Sequence, residues 1–235
     1  MNSKTSYGTS DSLGRFTAPK DGVAINPQNV RDLAPEVLDG NGRLRILPMS
    51  FWAETTPTER GLFGNLHGYY AFPTTELVEY LQEVIGDRKA IEIGAGNGVL
   101  AEALDIPATD NFQQRMPEYN AYYKSLGQAI VPYGPNVERL DAREAVRKYR
   151  PQVVIGCWVT HKYDPKRHLA GGNEIGVKEE HLLERVETYV HVGNEQVHKN
   201  KAILKREHQA VHADWLFSRS LNATPDVIYV WDTRK

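Results

Sequence analysis

Residues Ala90 to Leu104 read AIEIGAGNGVLAEAL. A four-residue apolar run carrying one acid, Glu92, gives way to three glycines within five residues, Gly94, Gly96 and Gly98. A helical pattern, Val99 to Leu104, takes over behind them. Glycine inside a regular element is destabilising, so three at a strand-to-helix handover need a structural reason. Such a turn lets main chain and ligand approach closely when no Cβ intervenes.

The flanking sequence supplies the rest of an α/β alternation. Upstream, Thr74 or Thr75 caps a helix in PTTELVEYLQEVIGD. Leu77, Tyr80, Leu81 and Val84 fall on one face of it, and Gly86 lies just past its end. Lys89–Ile93 reads as the first strand, and Ile106–Thr109, ending at Asp110, as the second. Residues 112–126 read as helical or irregular, interrupted at Pro117. Val137–Leu140 is a third strand, followed by a helix over Ala142–Tyr149. The continuous apolar run in PQVVIGCWV, residues 151–159, has the character of a buried parallel strand. A helix over Val177–Val186, a strand over Thr188–Val192 and a basic helix near Lys199–His208 follow. DWLFSRS (214–220) and DVIYVWD (226–232) then read as an antiparallel pair at the sheet edge. The fold class is α/β: a Rossmann-like α/β/α sandwich, its central sheet mostly parallel with an antiparallel C-terminal strand.

Three regions are expected: a flexible N-terminal tail over 1–20, an irregular cover or lid with one short helix over 21–72, and the α/β domain over 73–235. The 235 residues suffice for that domain, and 40% hydrophobic with 25% charged residues is a globular profile. The net charge of −2 provides no chain-wide basic field for nucleic acid. Cys157, the one cysteine, excludes an internal disulfide. No apolar leader opens the sequence and no apolar run is of membrane-spanning length, so the expected location is cytoplasmic, with no membrane partner.

Two dinucleotide-type turns compete for the glycines. A nicotinamide or flavin fingerprint requires G-x-G-x-x-G, and Val99 stands where its third glycine belongs. Glu92-Ile93-Gly94-Ala95-Gly96-Asn97-Gly98 instead resembles the E/D-x-G-x-G-x-G loop of class I S-adenosylmethionine-dependent methyltransferases. That resemblance spans roughly Tyr69 to Trp231. It implies S-adenosylmethionine as cofactor, with Gly94, Ala95, Gly96 and Asn97 forming the loop and Glu92 near the ammonium end. Asp110, eighteen residues after Glu92, would grip the ribose hydroxyls. Asp141 would contact the adenine amino group, cap the following helix, or do both.

The end of the fourth strand, GCWVTHKYDP from Gly156 to Pro165, would face the substrate. The N/D/S-P-P-Y/F/W signature of amino-methylating enzymes is missing there, although HGYYAFPTTELVEYL (67–81) resembles the segment such enzymes place before the loop. Cys157 is a cofactor neighbour or a small buried hydrophobe. Trp158 and Tyr69 or Tyr70 line the pocket or belong to the core. His161 is the candidate general base, against the alternative of a surface histidine. The pairs His161/His168 and His191/His198 lack carboxylates at ligand spacing, so no metal is expected. HKNKAILKRE (198–207) reads as a solvated helix face. The implied activity is direct displacement of a methyl group onto an oxygen or nitrogen of an unidentified acceptor, a small molecule being favoured over protein or nucleic acid. The alternatives are a non-catalytic cofactor-binding module and, less favoured, a nicotinamide-dependent oxidoreductase.

Overall fold

The computed structural model describes residues 29–234, so the expected tail over 1–20 lies outside the described residues. Three helices open it: α1 (Ala34–Val37), α2 (Met49–Ala53) and α3 (Pro57–His67). The irregular segment read from the sequence is therefore more ordered than expected. Thr56 and Glu59 form a reciprocal capping box at the start of α3, and Pro57 occupies its first turn. Trp52, Phe63, Tyr69 and Phe72 bury together beneath these helices, Trp52 stacking on Phe72 at 4.6 Å.

Helix α4 (Thr75–Ile85) starts where Thr74 Oγ1 accepts from Leu77 N–H at 3.1 Å. Leu77, Val78, Leu81 and Ile85 are its buried residues, and Tyr80 and Val84 pack at the flank. Strand β1 (Ala90–Ile93) leads into α5 (Val99–Ala103), then β2 (Ala108–Asp110) and α6 (Pro117–Ser125). Pro117 begins α6 instead of interrupting it, because proline's missing N–H costs nothing in a first helical turn. The chain continues through β3 (Val137–Arg139), α7 (Ala142–Tyr149), β4 (Val153–Cys157), β5 (Thr188–Asn194), α8 (Glu195–His198), β6 (Gln209–Val211) and β7 (Asp226–Asp232).

Two expected helices are absent. The stretch 177–186 contains a single three-residue 3-10 turn at Glu179–His181, and 199–208 a four-residue one at Ala202–Lys205. Both are pulled out of helical periodicity by burial: Glu179, Leu182, Lys201 and Ile203 turn into the protein from short turns. HKNKAILKRE is accordingly no solvated face, since His198 and Lys201 are both buried.

The seven strands form one Rossmann-like sheet in the order β3-β2-β1-β4-β5-β7-β6. β1 to β5 run parallel, and β7 is antiparallel to both its neighbours, β5 and β6. The expected antiparallel strand is present, but inside the sheet. Its edge partner is Gln209–Val211, not 214–220. Alternation along the strands splits the core. Ala90, Val153 and Val190 face α4 and α5, whereas Ile91, Ile93, Val154 and Tyr189 face α7 and residues 182–203. From β1 the chain winds outward to β3, then returns to β4 on the other side. The carboxyl ends of β1 and β4 thus form a topological switch point, where open α/β sheets leave a crevice.

Candidate functional site

A cavity of about 1020 Å³ opens at that switch point. Its wall includes Glu92, the loop Gly94–Asn97, Asp110, Asp141 and Cys157. The structure brings those sequence-predicted residues together from the ends of four strands. Tyr69 and His161 stand apart from them.

Gly94 and Gly96 both take positive φ, +59° and +55°. This alternation of handedness is what the turn demands, and it excludes most side chains. The space opposite their α-carbons is filled by the protein itself. A Cβ on Gly94 would stand 2.5 Å from Val159 Cγ1, and one on Gly96 2.9 Å from Val131 Cγ1. These two positions thus admit two valines that help build the wall, while their main chain lines the cavity.

Asp110, 9% exposed, ends β2. Its Oδ2 accepts from Gly96 N–H at 3.1 Å and its Oδ1 from Phe112 N–H at 2.7 Å. Burial raises its pKa and the two backbone donors oppose that rise. A carboxylate has roughly four lone-pair sites, so two bonds leave acceptor capacity on the cavity side. Glu92 accepts from Ala101 N–H through Oε2 at 3.0 Å. Desolvation lifts its pKa to about 8, against the pull of that hydrogen bond and with a push from Asp110. Asp141 caps α7, its Oδ1 accepting from Arg143 and Glu144 N–H at 2.8 and 2.9 Å. It lines the cavity as well.

At the end of β4, burial pushes the Cys157 thiol well above its ordinary pKa, which leaves it an uncharged wall residue. Trp158 adopts φ +58°, unusual for a bulky side chain. Its N–H donates to Val192 O at 2.8 Å, and its ring lies 6.1 Å from that of Tyr70 and 5.2 Å from that of His198. Of the adjacent pair, Tyr70 is the one that lines the cavity. Tyr69 is 2% exposed and stacks on Phe63 at 5.6 Å, inside the N-terminal aromatic cluster.

His161 is not part of the wall. Its backbone pairs with Val177, its Cδ2 would lie 3.0 Å from a Cβ on Gly172, and its Nε2 is buried without a partner among the described residues. Burial, with Lys201 and Arg167, drives its pKa down to about 4. The candidate base thus lies outside the residues that line the cavity, with its ring held neutral. The histidines of the wall are His181 and His198, and His198 is buried. The Nδ1 of His198 lies 2.9 Å from Asn194 N and 3.1 Å from Asn194 O, so the main chain of Asn194 engages that edge of the ring. Burial, aided by Lys201, keeps it neutral. No local motif singles it out, because Asn194 orients it only once α8 has formed.

Behind the wall, Lys201 Nζ donates to Val159 O and to Glu179 Oε1, both at 2.8 Å, and Tyr189 Oη donates to the same oxygen at 2.7 Å. Over the loop, Gln114 Nε2 donates to Tyr70 Oη at 3.1 Å, and Tyr70 Oη donates to Tyr123 Oη at 2.9 Å. These contacts fix the aromatic part of the wall.

No protein-family model and no curated protein sequence matches the chain. Solved structures are similar to it. A protein of Thermoplasma acidophilum is 16% identical, with a TM-score of 0.37, over 68% of this chain and 86% of its own. Precorrin-6y C5,15-methyltransferase from Geobacter metallireducens is 14% identical, TM-score 0.35, over 68% of this chain and 89% of its own. The Pyrococcus abyssi tRNA (uracil-54, C5)-methyltransferase, solved in complex with S-adenosyl-L-homocysteine, is 17% identical, TM-score 0.36, over 66% of this chain and 36% of its own.

Proposed function

We propose that the protein is an S-adenosylmethionine-dependent methyltransferase acting on an oxygen or nitrogen of a small-molecule acceptor. One observation carries this reading. Two buried acids, Glu92 and Asp110, end adjacent parallel strands at one cavity beside a left-handed glycine turn. The donor and acceptor set fits an adenosyl amino acid. Asp110 would accept from ribose hydroxyls with the lone pairs that Gly96 and Phe112 leave free. Glu92 would face the ammonium group, whose positive charge favours ionisation of its carboxyl. Asp141 and the main chain around Ala142 would meet the adenine. Trp158 and Tyr70 offer π faces suited to a cation or a flat ring. When bound, the cofactor supplies an electrophilic methyl group on a sulfonium.

The cavity volume is at the upper end for small-molecule pockets, with space for a second, small ligand beside the first. Orientation is the chain's main catalytic means on this reading. Cys157 is held protonated and His198 keeps Nδ1 engaged, so neither is poised as a base. The same two observations favour, as a second reading, a module that binds the cofactor without turnover.

Calorimetry with S-adenosylhomocysteine tests the site. Asp110→Ala is expected to weaken binding by about 1.5–3 kcal/mol, the value of hydrogen bonds to a charged group. Unchanged affinity would remove Asp110 from the site. Transfer of labelled methyl from S-adenosylmethionine to any component of a cell extract separates the enzyme from the inert module.

A further inference from the structure

Arg219 lies on the β6–β7 connection, half-buried in the cavity wall. Its guanidinium carbon sits 3.7 Å from the centroid of the Tyr70 ring. Its side chain has no hydrogen bond or ion pair with any described residue, and Nη1 is buried without a partner. Beside it, Ser220 Oγ is likewise buried and unpartnered, and Ser220 also lines the cavity. A partly desolvated cation without an acceptor is costly and is seldom held still without a use.

This one is held still from three sides. Arg219 N–H donates to Tyr70 O at 3.1 Å. On α3, a Cβ at Gly64 would stand 2.6 Å from Arg219 Cβ, so a glycine there admits the close seat. Tyr70 beneath is fixed through Tyr123 and Gln114. With one face stacked, a guanidinium still presents a flat edge of N–H donors suited to two oxygens of a carboxylate or phosphate. The neighbouring rings of Tyr70 and Trp158 favour a flat, apolar body attached to that anion.

We propose that Arg219 is the anion receptor for the methyl acceptor, and that the acceptor is a small aromatic compound bearing a carboxylate or phosphate. The proposal deepens the methyltransferase reading and rests on it for the word acceptor. The anion site itself is measured without any cofactor.

The test is a ¹⁵N–¹H NMR titration of the full chain with benzoate against benzamide and phenyl phosphate against phenol. Wild type should bind each anion about tenfold tighter than its neutral partner, with shifts at Tyr70 and Trp158. Arg219→Gln should abolish that preference. Arg219→Lys, which keeps the charge without the fork, should retain it in weakened form and keeps the test decisive should the glutamine variant not fold. Lys178→Gln, at an exposed cation of the same wall, should change anion affinity by no more than about twofold. Equal affinity of wild type for anions and neutral analogues overturns the proposal, as does an equal loss in the Lys178 variant, which would mean a diffuse field. A third measurement compares S-adenosylhomocysteine with 5′-methylthioadenosine, which lacks the amino-acid carboxylate. If Arg219→Gln erases the preference for the former, the guanidinium serves the cofactor, and the proposal falls while the methyltransferase reading stands. Failure of Asp110→Ala to weaken S-adenosylhomocysteine binding would remove that reading and leave the anion result intact.

Discussion

Glu92 shows how a side chain in the cavity wall can weaken the fold. Its carboxyl takes up a proton more readily in the folded protein, with a pKa of about 8 against an ordinary 4.5. The folded state thus binds more protons between those values, and stability falls as pH rises through that window. At pH 7 the cost is on the order of 3 kcal/mol. Glu92→Gln can still accept from Ala101 N–H, so it is expected to raise the melting temperature at neutral pH by several degrees and to flatten its pH dependence. A scanning calorimetry series from pH 5 to 8 reads both effects. Binding has the opposite sign. A cationic ligand beside Glu92 selects the ionised form, so affinity for S-adenosylhomocysteine should rise with pH from about 5.5 to 7.5, with a proton released on binding, and the glutamine variant should lose that slope. At this scale the sequence was readable where an acid ends a strand, since β geometry alone carries Glu92 and Asp110 to the crevice. It was unreadable where orientation depends on distant partners. Tyr70 rather than Tyr69 faces the cavity where residues 70–72 pair with 217–219, and the backbone of His161 joins Val177 instead of continuing β4.

Among the elements, α3 has the clearest division between what is local and what is not. Its capping box is written in four consecutive residues, Thr56 to Glu59. Its two glycines make sense only against the far end of the chain, where Gly61 meets Leu221 and Gly64 meets Arg219. Intrinsic propensity would favour alanine at Gly64 by about 1 kcal/mol. A Cβ there, however, would lie 2.6 Å from Tyr69 O and from Arg219 Cβ. Gly64→Ala is therefore expected to destabilise the protein by about 1–3 kcal/mol in urea denaturation, the cost of overpacking. A stabilising outcome would mean that α3 does not sit this tightly. The same contrast explains the two missing helices. In 177–186 and 199–208 the charged residues carry the pattern of a solvated helical face, but Glu179 and Lys201 find each other inside the protein, and no spacing rule foresees a pair 22 residues apart. Strands fared better, since short apolar runs between turns left little choice of partner face. Only β6, three residues long and half-exposed, escaped notice.

Over the whole molecule, the Glu179–Lys201 pair ties the β4–β5 connection to the segment after β5 and, through Val159 O, to the cavity wall. Both side chains are at most 1% exposed. Removing one partner from such a pair leaves a buried charge, and Lys201→Met should cost about 3–5 kcal/mol in chemical denaturation. Lys201→Met combined with Glu179→Gln removes both charges and keeps an acceptor for Tyr189 Oη. It should recover about half of that loss or more, and additive losses would refute the coupling. Among the described residues no helix is long and apolar enough to cross a membrane. The placement of β7 carries a last consequence. It is the latest of the seven strands to leave the ribosome, yet it occupies an interior lane of the sheet, between β5 and β6. Until it docks, β6 has no neighbour, and the Arg219 segment that precedes it lacks its anchor. A chain halted at residue 225 would already carry both acids and the glycine turn, but its sheet would stop at β5.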